Sequence, residues 1–174
     1  MVIASRDSDS VLRMLAEVKD PELPTLDVVE LGIVRNVEVD GDSVRVDITP
    51  TYSGCPAMQV IESDIETTLH AHGFRNVSVR TIYSPAWSSD WITEEAREKL
   101  RESGIAPPHL RRPGSGPEDS VQELVSLTRA PVQIECPFCA SSNTVERSVF
   151  GSTACKAIYV CNNCKQPFDY FKQF

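Results

Sequence analysis

The stretch Thr49-Pro50-Thr51-Tyr52-Ser53-Gly54-Cys55-Pro56 connects a predicted strand to a predicted helix and decides the arrangement of the first half of the chain. Upstream, apolar and charged residues alternate from Ser43 to Thr49 with the period of two that is typical of a half-buried strand. Downstream, Pro56 suits the first position of a helix, because its missing N–H would have had no intrahelical partner. The helix is predicted to run from Pro56 towards His72, with Gly73 as its C-terminal stop.

Cys55 is therefore expected at or beside the N-cap of this helix. Backbone N–H groups point outward there and the helix dipole favours a negative charge, so the thiol is expected to lean towards the thiolate. Helix N-termini are among the environments that make a cysteine nucleophilic or metal-binding, and Gly54 allows a ligand or the backbone to approach closely. The alternative is a small buried hydrophobic residue, and spacing alone leaves both interpretations open.

The segments around this stretch predict an α+β fold. Apolar residues at helical spacing indicate a first helix from Val11 to Val18, capped by Ser10. Alternation indicates a strand from Ile33 to Val39, a hairpin at Asp40-Gly41 and a last strand from Val77 to Thr81. Because the last strand follows a helical crossover, the order helix, strand, strand, helix, strand favours a small mixed sheet packed by helices.

Two carboxylates lie in the proline-rich segment Asp20-Pro21-Glu22-Leu23-Pro24. The prolines end the first helix and favour an extended turn. Carboxylates held in a rigid loop can bind a metal or activate a proton, whereas acidic residues beside prolines are often no more than solvated turn residues. Asp20 and Glu22 are candidates for the first role, and the segment itself leaves both roles open.

Four of the six cysteines form two CxxC pairs, Cys136-Pro137-Phe138-Cys139 and Cys161-Asn162-Asn163-Cys164, with 21 residues between them. Two such pairs at this separation predict a tetrahedral four-thiolate site and hence a zinc ribbon, in which the Zn²⁺ is structural because all four positions are closed. The same ligand set accepts iron, as in rubredoxin-like electron carriers. Cys155 is a spare thiol, either a fifth candidate ligand or a packed or free cysteine.

Prolines and glycines interrupt all periodicity between Ile105 and about Pro131, which predicts a linker between two domains. The predicted organisation is a first domain at residues 1–104, a Pro/Gly-rich linker at 105–131 and a β zinc ribbon at 132–174. The first domain is expected to end with a short polar helix from Glu94 to Ser103 behind the N-cap residue Thr93. A ribbon of about forty residues has too small a core to fold without a metal.

The chain has 174 residues, of which 41% are hydrophobic and 24% charged, and a net charge of -8. These values are typical of a soluble globular protein. The acidity argues against a nucleic-acid interface, which needs a basic stripe. No stretch approaches the roughly 18 apolar residues that indicate a membrane helix, and Met1 to Ser10 lack the features of a signal peptide. A cytoplasmic location is expected.

Together these residues resemble a known signature. The match to the iron-sulfur assembly domain family, which includes bacterial SufT and the eukaryotic cytosolic iron-sulfur targeting factors, is carried by Asp20-Pro21-Glu22-Leu23-Pro24, Leu31-Gly32, and Thr51 with Gly54-Cys55-Pro56. The remainder resembles one branch of that family, the D proteins of phenylacetate degradation, also described as subunits of phenylacetyl-CoA epoxidase. That branch carries a segment like Ser84 to Trp91 and a ribbon with a run like Phe150 to Lys156. Ser53 stands where the wider family usually has proline.

The resemblance implies an accessory binding protein, not an enzyme, that assembles or delivers iron-sulfur clusters or iron in the epoxidase system. In that system a reductase with a [2Fe-2S] cluster and flavin feeds a diiron oxygenase, and the reductase is the expected partner. Cys55, Asp20, Glu22 and Thr51 are expected to handle a transient cluster, iron or persulfide. One cysteine is too few to hold a cluster permanently, so the client, a second subunit or a homodimer would complete the site. A four-cysteine iron redox protein and a non-catalytic scaffold subunit are the alternatives.

Overall fold

The computed structural model describes residues 7–109 and 133–174. Residues 110–131, most of the predicted linker, lie outside this range. The helices are α1 (Ser8–Leu15), α2 (Met58–Ala71) and α3 (Glu94–Glu102), with a 3-10 turn at Ser89–Trp91. The strands are β1 (Lys19–Asp20), β2 (Leu23–Asp27), β3 (Val34–Asp40), β4 (Ser43–Ile48), β5 (Asn76–Thr81), β6 (Ile105–Ala106), β7 (Thr144–Ser148), β8 (Lys156–Cys161) and β9 (Pro167–Phe171).

The first sheet has the order β3-β4-β5 and confirms the predicted mixed α+β architecture. β3 and β4 are antiparallel and joined at a tight hairpin, where Asp40 pairs with Ser43 and Gly41 adopts a φ of 56°. β5 pairs with β4 in parallel because α2 crosses over between them. The apolar residues of α2 that face the core, Ile61, Ile65 and Leu69, are fully buried.

The helix ends follow ordinary capping chemistry, with two corrections: α1 ends at Leu15 and not at the predicted Val18, and its N-cap residue differs from the predicted one. α1 begins behind Asp7, whose side chain accepts the backbone N–H of Ser10, while the Ser10 hydroxyl accepts the N–H of Asp7. Ser10 is thus the third-position partner in a capping box and not the predicted N-cap. α3 begins behind Thr93 as predicted, and Gly104 follows its end with a φ of 76°. The longest of the described helices, α2, has 14 residues, and none of them has the length and apolarity of a membrane span.

The second sheet forms the ribbon and has the order β6-β9-β8-β7. β7, β8 and β9 are antiparallel neighbours, whereas β6 adds to β9 in parallel. β6 consists of Ile105 and Ala106, so the first two residues of the predicted linker belong to the ribbon sheet. This pairing ties the end of the first domain to the ribbon by backbone hydrogen bonds.

The two faces of β9 join the ribbon to the first domain. Phe168 and Tyr170 lie on one face and belong to the ribbon core. Phe171 lies on the other face, is 1% exposed, and belongs to the core of the first domain. Its ring lies 6.0 Å from that of Trp87, which also contacts Phe174 at 6.1 Å. The ribbon is therefore packed into the first domain.

The Leu31-Gly32 pair explains how the tryptophan segment is held. The indole N–H of Trp87 donates to the Leu31 carbonyl at 3.0 Å. Gly32 has a φ of 69°, and a Cβ placed on it would lie 2.7 Å from the Cβ of Trp91. Glycine is required here both by the left-handed backbone and by the close approach of the neighbouring segment.

Candidate functional site

The turn that carries Cys55 is longer than the sequence indicated. α2 begins at Met58 behind Ala57, which provides no side-chain cap, so the predicted start at Pro56 is wrong by two residues. The backbone N–H of Cys55 donates to the Tyr52 carbonyl at 3.1 Å and closes the turn. The N–H of Ala57 is directed at the Cys55 thiol. The thiol is half-buried and packs against the core of the first domain while keeping part of its surface exposed.

Asp20 is buried beside this turn, at the end of β1, and is 7% exposed. Its Oδ1 accepts the backbone N–H groups of Glu22 at 2.8 Å and Leu23 at 2.9 Å. This shape is an Asx turn, which fixes the proline-rich segment. The solvated-turn interpretation is therefore wrong for Asp20. Glu22 is half-buried, with its carboxylate near that of Asp20 and near the Cys55 thiol.

The ribbon contributes two further side chains to the same place. Cys155 is 4% exposed and lies in the core cluster of the first domain, not with the other ribbon cysteines. Its sulfur lies 3.0 Å from the Thr153 hydroxyl oxygen. The neighbouring Lys156, 5% exposed, begins β8 and has its ammonium group within electrostatic range of Asp20, Glu22 and Cys155. We call the group formed by Asp20, Glu22, Cys55, Cys155 and Lys156 the junction site.

Burial raises the pKa of the Cys55 thiol above its ordinary value. The N–H of Ala57 opposes this shift, but the negative charges of Glu22 and Asp20 and the nearby Cys155 raise the pKa further. The expected lean towards the thiolate is therefore wrong for the resting protein. Desolvation and the carboxylates outweigh the backbone N–H groups at the start of the helix.

The pKa values of the acidic groups Asp20, Glu22 and Cys155 are raised as well. Burial raises the pKa of Asp20, although the two backbone N–H groups and Lys156 act against the shift. Burial and the neighbouring Asp20 raise the pKa of Glu22, and burial also raises that of Cys155. Lys156 is the cation that compensates these negative groups. A metal cation bound by the Cys55 thiol would have to displace its proton.

Thr51, the remaining sequence candidate, lies on the wall of an open cleft beside the Cys55 turn. The cleft is lined by residues 49–53 together with Tyr83, Ala86, Trp87 and Phe174. Tyr83 is 65% exposed, so the cleft has an aromatic rim in contact with solvent. The cleft provides apolar surface next to a half-buried thiol.

The four CxxC cysteines converge on a single point in the ribbon. The sulfur atoms of Cys136, Cys139, Cys161 and Cys164 all lie within 4.8 Å of one another. The Cys136–Cys164 and Cys139–Cys161 sulfur pairs are each separated by 3.6 Å. A tetrahedral ion with Zn–S bonds of about 2.3 Å requires sulfurs about 3.8 Å apart, so the arrangement fits a four-thiolate metal site.

Backbone N–H groups prepare the second knuckle for a metal. Cys164 and Asn163 direct their N–H groups at the Cys161 sulfur, at 3.5 and 3.4 Å. These donors lower the pKa of the Cys161 thiol and favour the thiolate that binds metals. With four protein ligands the site has no open position, which is typical of a structural metal.

Sequence reasoning missed the position of Cys155 and Lys156. The two residues are separated from Cys55 by about a hundred positions and belong to another domain, so no local period relates them. The available signal was the run from Phe150 to Lys156, which ends in a cysteine and a lysine outside the CxxC pairs. Cys155 is buried and does not belong to the four-cysteine group of the ribbon, which argues against its being a fifth ligand there.

Two family models match parts of this chain. Residues 8–80 match the family model of the iron-sulfur cluster assembly protein, and residues 120–172 match that of the PaaD zinc beta ribbon domain. The first half resembles the crystal structure of a DUF59 domain from Bacillus anthracis, with a TM-score of 0.50 and 29% identity over 53% of this chain and 89% of that one. A Porphyromonas gingivalis iron-sulfur protein maturation auxiliary factor is 35% identical over 53% of this chain and 89% of its own.

Fold and sites together define an iron-sulfur assembly domain joined to a four-cysteine metal-binding ribbon. An Escherichia coli K12 protein provisionally named as the D component of 1,2-phenylacetyl-CoA epoxidase is 42% identical over 98% of this chain and 95% of its own. The chain belongs to this PaaD family of phenylacetyl-CoA epoxidase components.

Proposed function

We propose that this protein is an accessory factor of a phenylacetyl-CoA epoxidase system that assembles or delivers iron or an iron-sulfur cluster to the oxygenase or reductase components. The observation that carries the proposal is the half-exposed Cys55 thiol beside the carboxylates of Asp20 and Glu22. The similarity to iron-sulfur maturation factors over the first half, and to the epoxidase component over the whole chain, supports it. The iron-sulfur reductase is the client we favour.

In this proposal Cys55 binds the cargo, and the neighbouring carboxylates affect the protonation of its thiol and the charge around the bound cargo. The thiol is neutral at rest, so binding of iron by its sulfur releases a proton. Glu22, half-buried and close to the thiol, is placed to accept that proton or to offer an oxygen ligand. Asp20 holds the turn through its two backbone hydrogen bonds. Thr51 positions the cargo or client from the wall of the cleft.

The ribbon is proposed to contain one structural Zn²⁺ held by Cys136, Cys139, Cys161 and Cys164. When bound, the metal would supply folding free energy to a module with a small core. Metal content and an absorption spectrum of the purified protein distinguish zinc from iron. One zinc per chain and a colourless solution support the structural role, whereas a coloured single-iron site would favour an electron carrier.

Cluster occupancy in the reductase tests delivery. The reductase is produced with the parent chain, with Cys55→Ser, or with Ser53→Ala, and its [2Fe-2S] content is measured by iron analysis and absorption. Ser53 is exposed in the same turn and provides a matched control. Reduced occupancy with Cys55→Ser and full occupancy with Ser53→Ala are expected. Equal occupancy in all three would overturn the proposal and leave a scaffold role, which predicts a stable complex that survives the Cys55 substitution.

A further inference from the structure

Phe150 is the most exposed large hydrophobic residue in the part of the chain that the structure describes. It is 66% exposed, and the neighbouring Val149 is 54% exposed. Both lie on the connection between β7 and β8, at the end of β8 opposite to the metal-binding Cys161. Exposed apolar residues that occur singly are ordinary, whereas two adjacent ones form a patch of the kind that another protein surface covers.

The backbone that carries the Phe150 ring is held in place by hydrogen bonds. The Ser148 hydroxyl accepts the N–H of Phe150 at 3.2 Å and donates to the Phe150 carbonyl at 2.7 Å. The Lys172 ammonium donates to the Val149 carbonyl at 3.1 Å and lies 4.9 Å from the centre of the Phe150 ring. We call residues 148–151 the Phe150 loop. Because the loop is ordered already, burying its ring against a partner costs little further entropy.

The cleft beside the Cys55 turn offers the complementary shape. Its volume is about 400 Å³, within the roughly 300–1,000 Å³ of pockets that bury small ligands, and it is therefore large enough for a phenyl ring. Trp87 presents apolar surface there, because its indole N–H is already bonded to the Leu31 carbonyl. The carbonyl of Phe174, another lining residue, accepts the backbone N–H of Ser89 at 3.3 Å. The cleft is thus an apolar cavity with ordered walls.

The Phe150 loop and the cleft lie side by side. Lys172 contacts the Phe150 ring, and Phe174 lines the cleft. These two residues are two positions apart, so their Cα atoms are separated by at most about 7 Å. A surface that carries a projecting ring next to an apolar cavity is self-complementary about a two-fold axis, because the ring of each copy can enter the cavity of the other.

The charges beside the ring and beside the cleft are of opposite sign. The chain has a net charge of -8, so two copies repel one another at long range. The ammonium of Lys172 lies against the Phe150 ring, and among residues 7–109 and 133–174 no carboxylate forms an ion pair with it. Glu22 lies beside the cleft, where its carboxylate acts on the phenol of the lining residue Tyr52. The cation of one copy would therefore meet an acidic region of the other, which offsets part of the repulsion.

We propose that two copies of this chain associate as a two-fold dimer in which Phe150 of each copy inserts into the cleft of the other. The inference goes beyond the proposed function and does not depend on it. Residues 49–53 line the cleft and lie next to Cys55 in the same turn. Each copy therefore places its Phe150 loop beside the thiol of the other, and the cleft next to each thiol is closed by a residue of the second copy.

Sedimentation velocity over a range of concentrations tests the dimer on the full-length, zinc-loaded protein. Phe150→Ala removes the ring, and Ala86→Glu places a charged side chain on an exposed residue that lines the cleft. Phe138→Ala is the matched control, because it removes a phenylalanine ring that is 54% exposed at the metal-binding end of the ribbon. Urea unfolding checks that the fold persists in each variant.

We expect the parent and Phe138→Ala to form dimers, and Phe150→Ala and Ala86→Glu each to weaken dimerisation by at least about tenfold. A mixed dimer of these two variants keeps one intact contact of ring and cleft, so their equimolar mixture should associate more strongly than either variant alone.

Four results would overturn the inference: a monomeric parent, assembly into open chains larger than a dimer, a dimer that either substitution leaves unchanged, or a mixture no stronger than its components. None of them alters the expected effect of Cys55→Ser on cluster occupancy in the reductase. The dimer and the delivery role are therefore tested separately.

Discussion

Phe171→Ala should separate the ribbon from the first domain. The ring is 1% exposed and lies on the face of β9 opposite to the ribbon core. Its centroid lies 6.0 Å from that of the Trp87 ring. Truncating a fully buried phenylalanine removes its transfer free energy and leaves a cavity, together about 3–5 kcal/mol. Because domains are commonly stable by about 5–15 kcal/mol, the variant is expected to remain folded with a clearly smaller free energy of unfolding.

Urea unfolding of the zinc-loaded protein, followed by tryptophan fluorescence, measures this loss. Trp87 reports on the junction because its ring contacts both Phe171 and Phe174. A second readout is alkylation of Cys155 in a Cys55→Ser background, which should accelerate when the junction opens. Phe168→Ala is the matched control, since Phe168 is 5% exposed on the same strand but belongs to the ribbon core.

The two alanine variants should differ in their effects on the exposure of Cys155 and on metal retention by the ribbon. Phe171→Ala is expected to expose Cys155 while the ribbon keeps its metal, and Phe168→Ala is expected to weaken metal retention by the ribbon. A loss of less than about 1 kcal/mol in Phe171→Ala, with Cys155 as slow to react as in the parent, would show that the ring does not hold the junction and would refute the reasoning.

Three further predictions concern the metal and the carboxylates. Cys139→Ser removes one of four metal-binding sulfurs. Zinc binding contributes about 10–16 kcal/mol in small zinc modules when the ligand set is complete, so metal analysis of the variant should show loss of the ribbon metal. A retained ion would contradict this. Burial raises the pKa of Asp20, so its contribution to stability is present below the unfolded pKa of about 3.9 and is lost as pH rises through the folded pKa. Asp20→Asn keeps the Oδ1 acceptor and should be at least as stable as the parent at neutral pH, whereas Asp20→Ala should lose about 1–3 kcal/mol in urea unfolding; equal losses would contradict the turn role. Glu22→Gln removes a charge that raises the pKa of Cys55. Alkylation of Cys55 at fixed pH should therefore accelerate, by about tenfold for each unit by which the pKa falls. An unchanged rate would show that the Glu22 charge does not act on the Cys55 thiol.

Local pattern was sufficient to predict the strands β3, β4 and β5 and the ribbon ligands. The alternation in β3 and β4 and the hairpin glycine at Gly41 depend on neighbours in sequence, and the CxxC spacing brings two sulfurs of each turn to one ion. The start of α2 was misplaced because Pro56 is compatible with a turn as well as with a first helical position. Both conformations satisfy the fixed φ of proline, and the local sequence does not choose between them.

The chemistry at Cys55 was harder to predict because it depends on tertiary packing. The helix N-terminus is a local feature and favours the thiolate. Desolvation and the approach of Asp20, Glu22 and Cys155 are long-range features, and they raise the pKa of the thiol instead. Position relative to a helix is therefore insufficient to predict the charge of a cysteine when residues distant in sequence pack around it.

The raised pKa of Cys55 is compatible with transfer of iron, although a low pKa is the usual mark of a reactive thiol. Protons compete with a metal for each sulfur, so every unit of raised pKa weakens metal binding at lower pH by about tenfold per thiolate. A client whose cysteines are already thiolates, as Cys161 of the ribbon tends to be, then binds the same iron more strongly. Under the proposed function, the closed ribbon quartet would retain its metal because all four positions are filled, whereas the protonated Cys55 thiol would favour release. One chain would then place a permanent and a transferable metal in environments of opposite proton affinity.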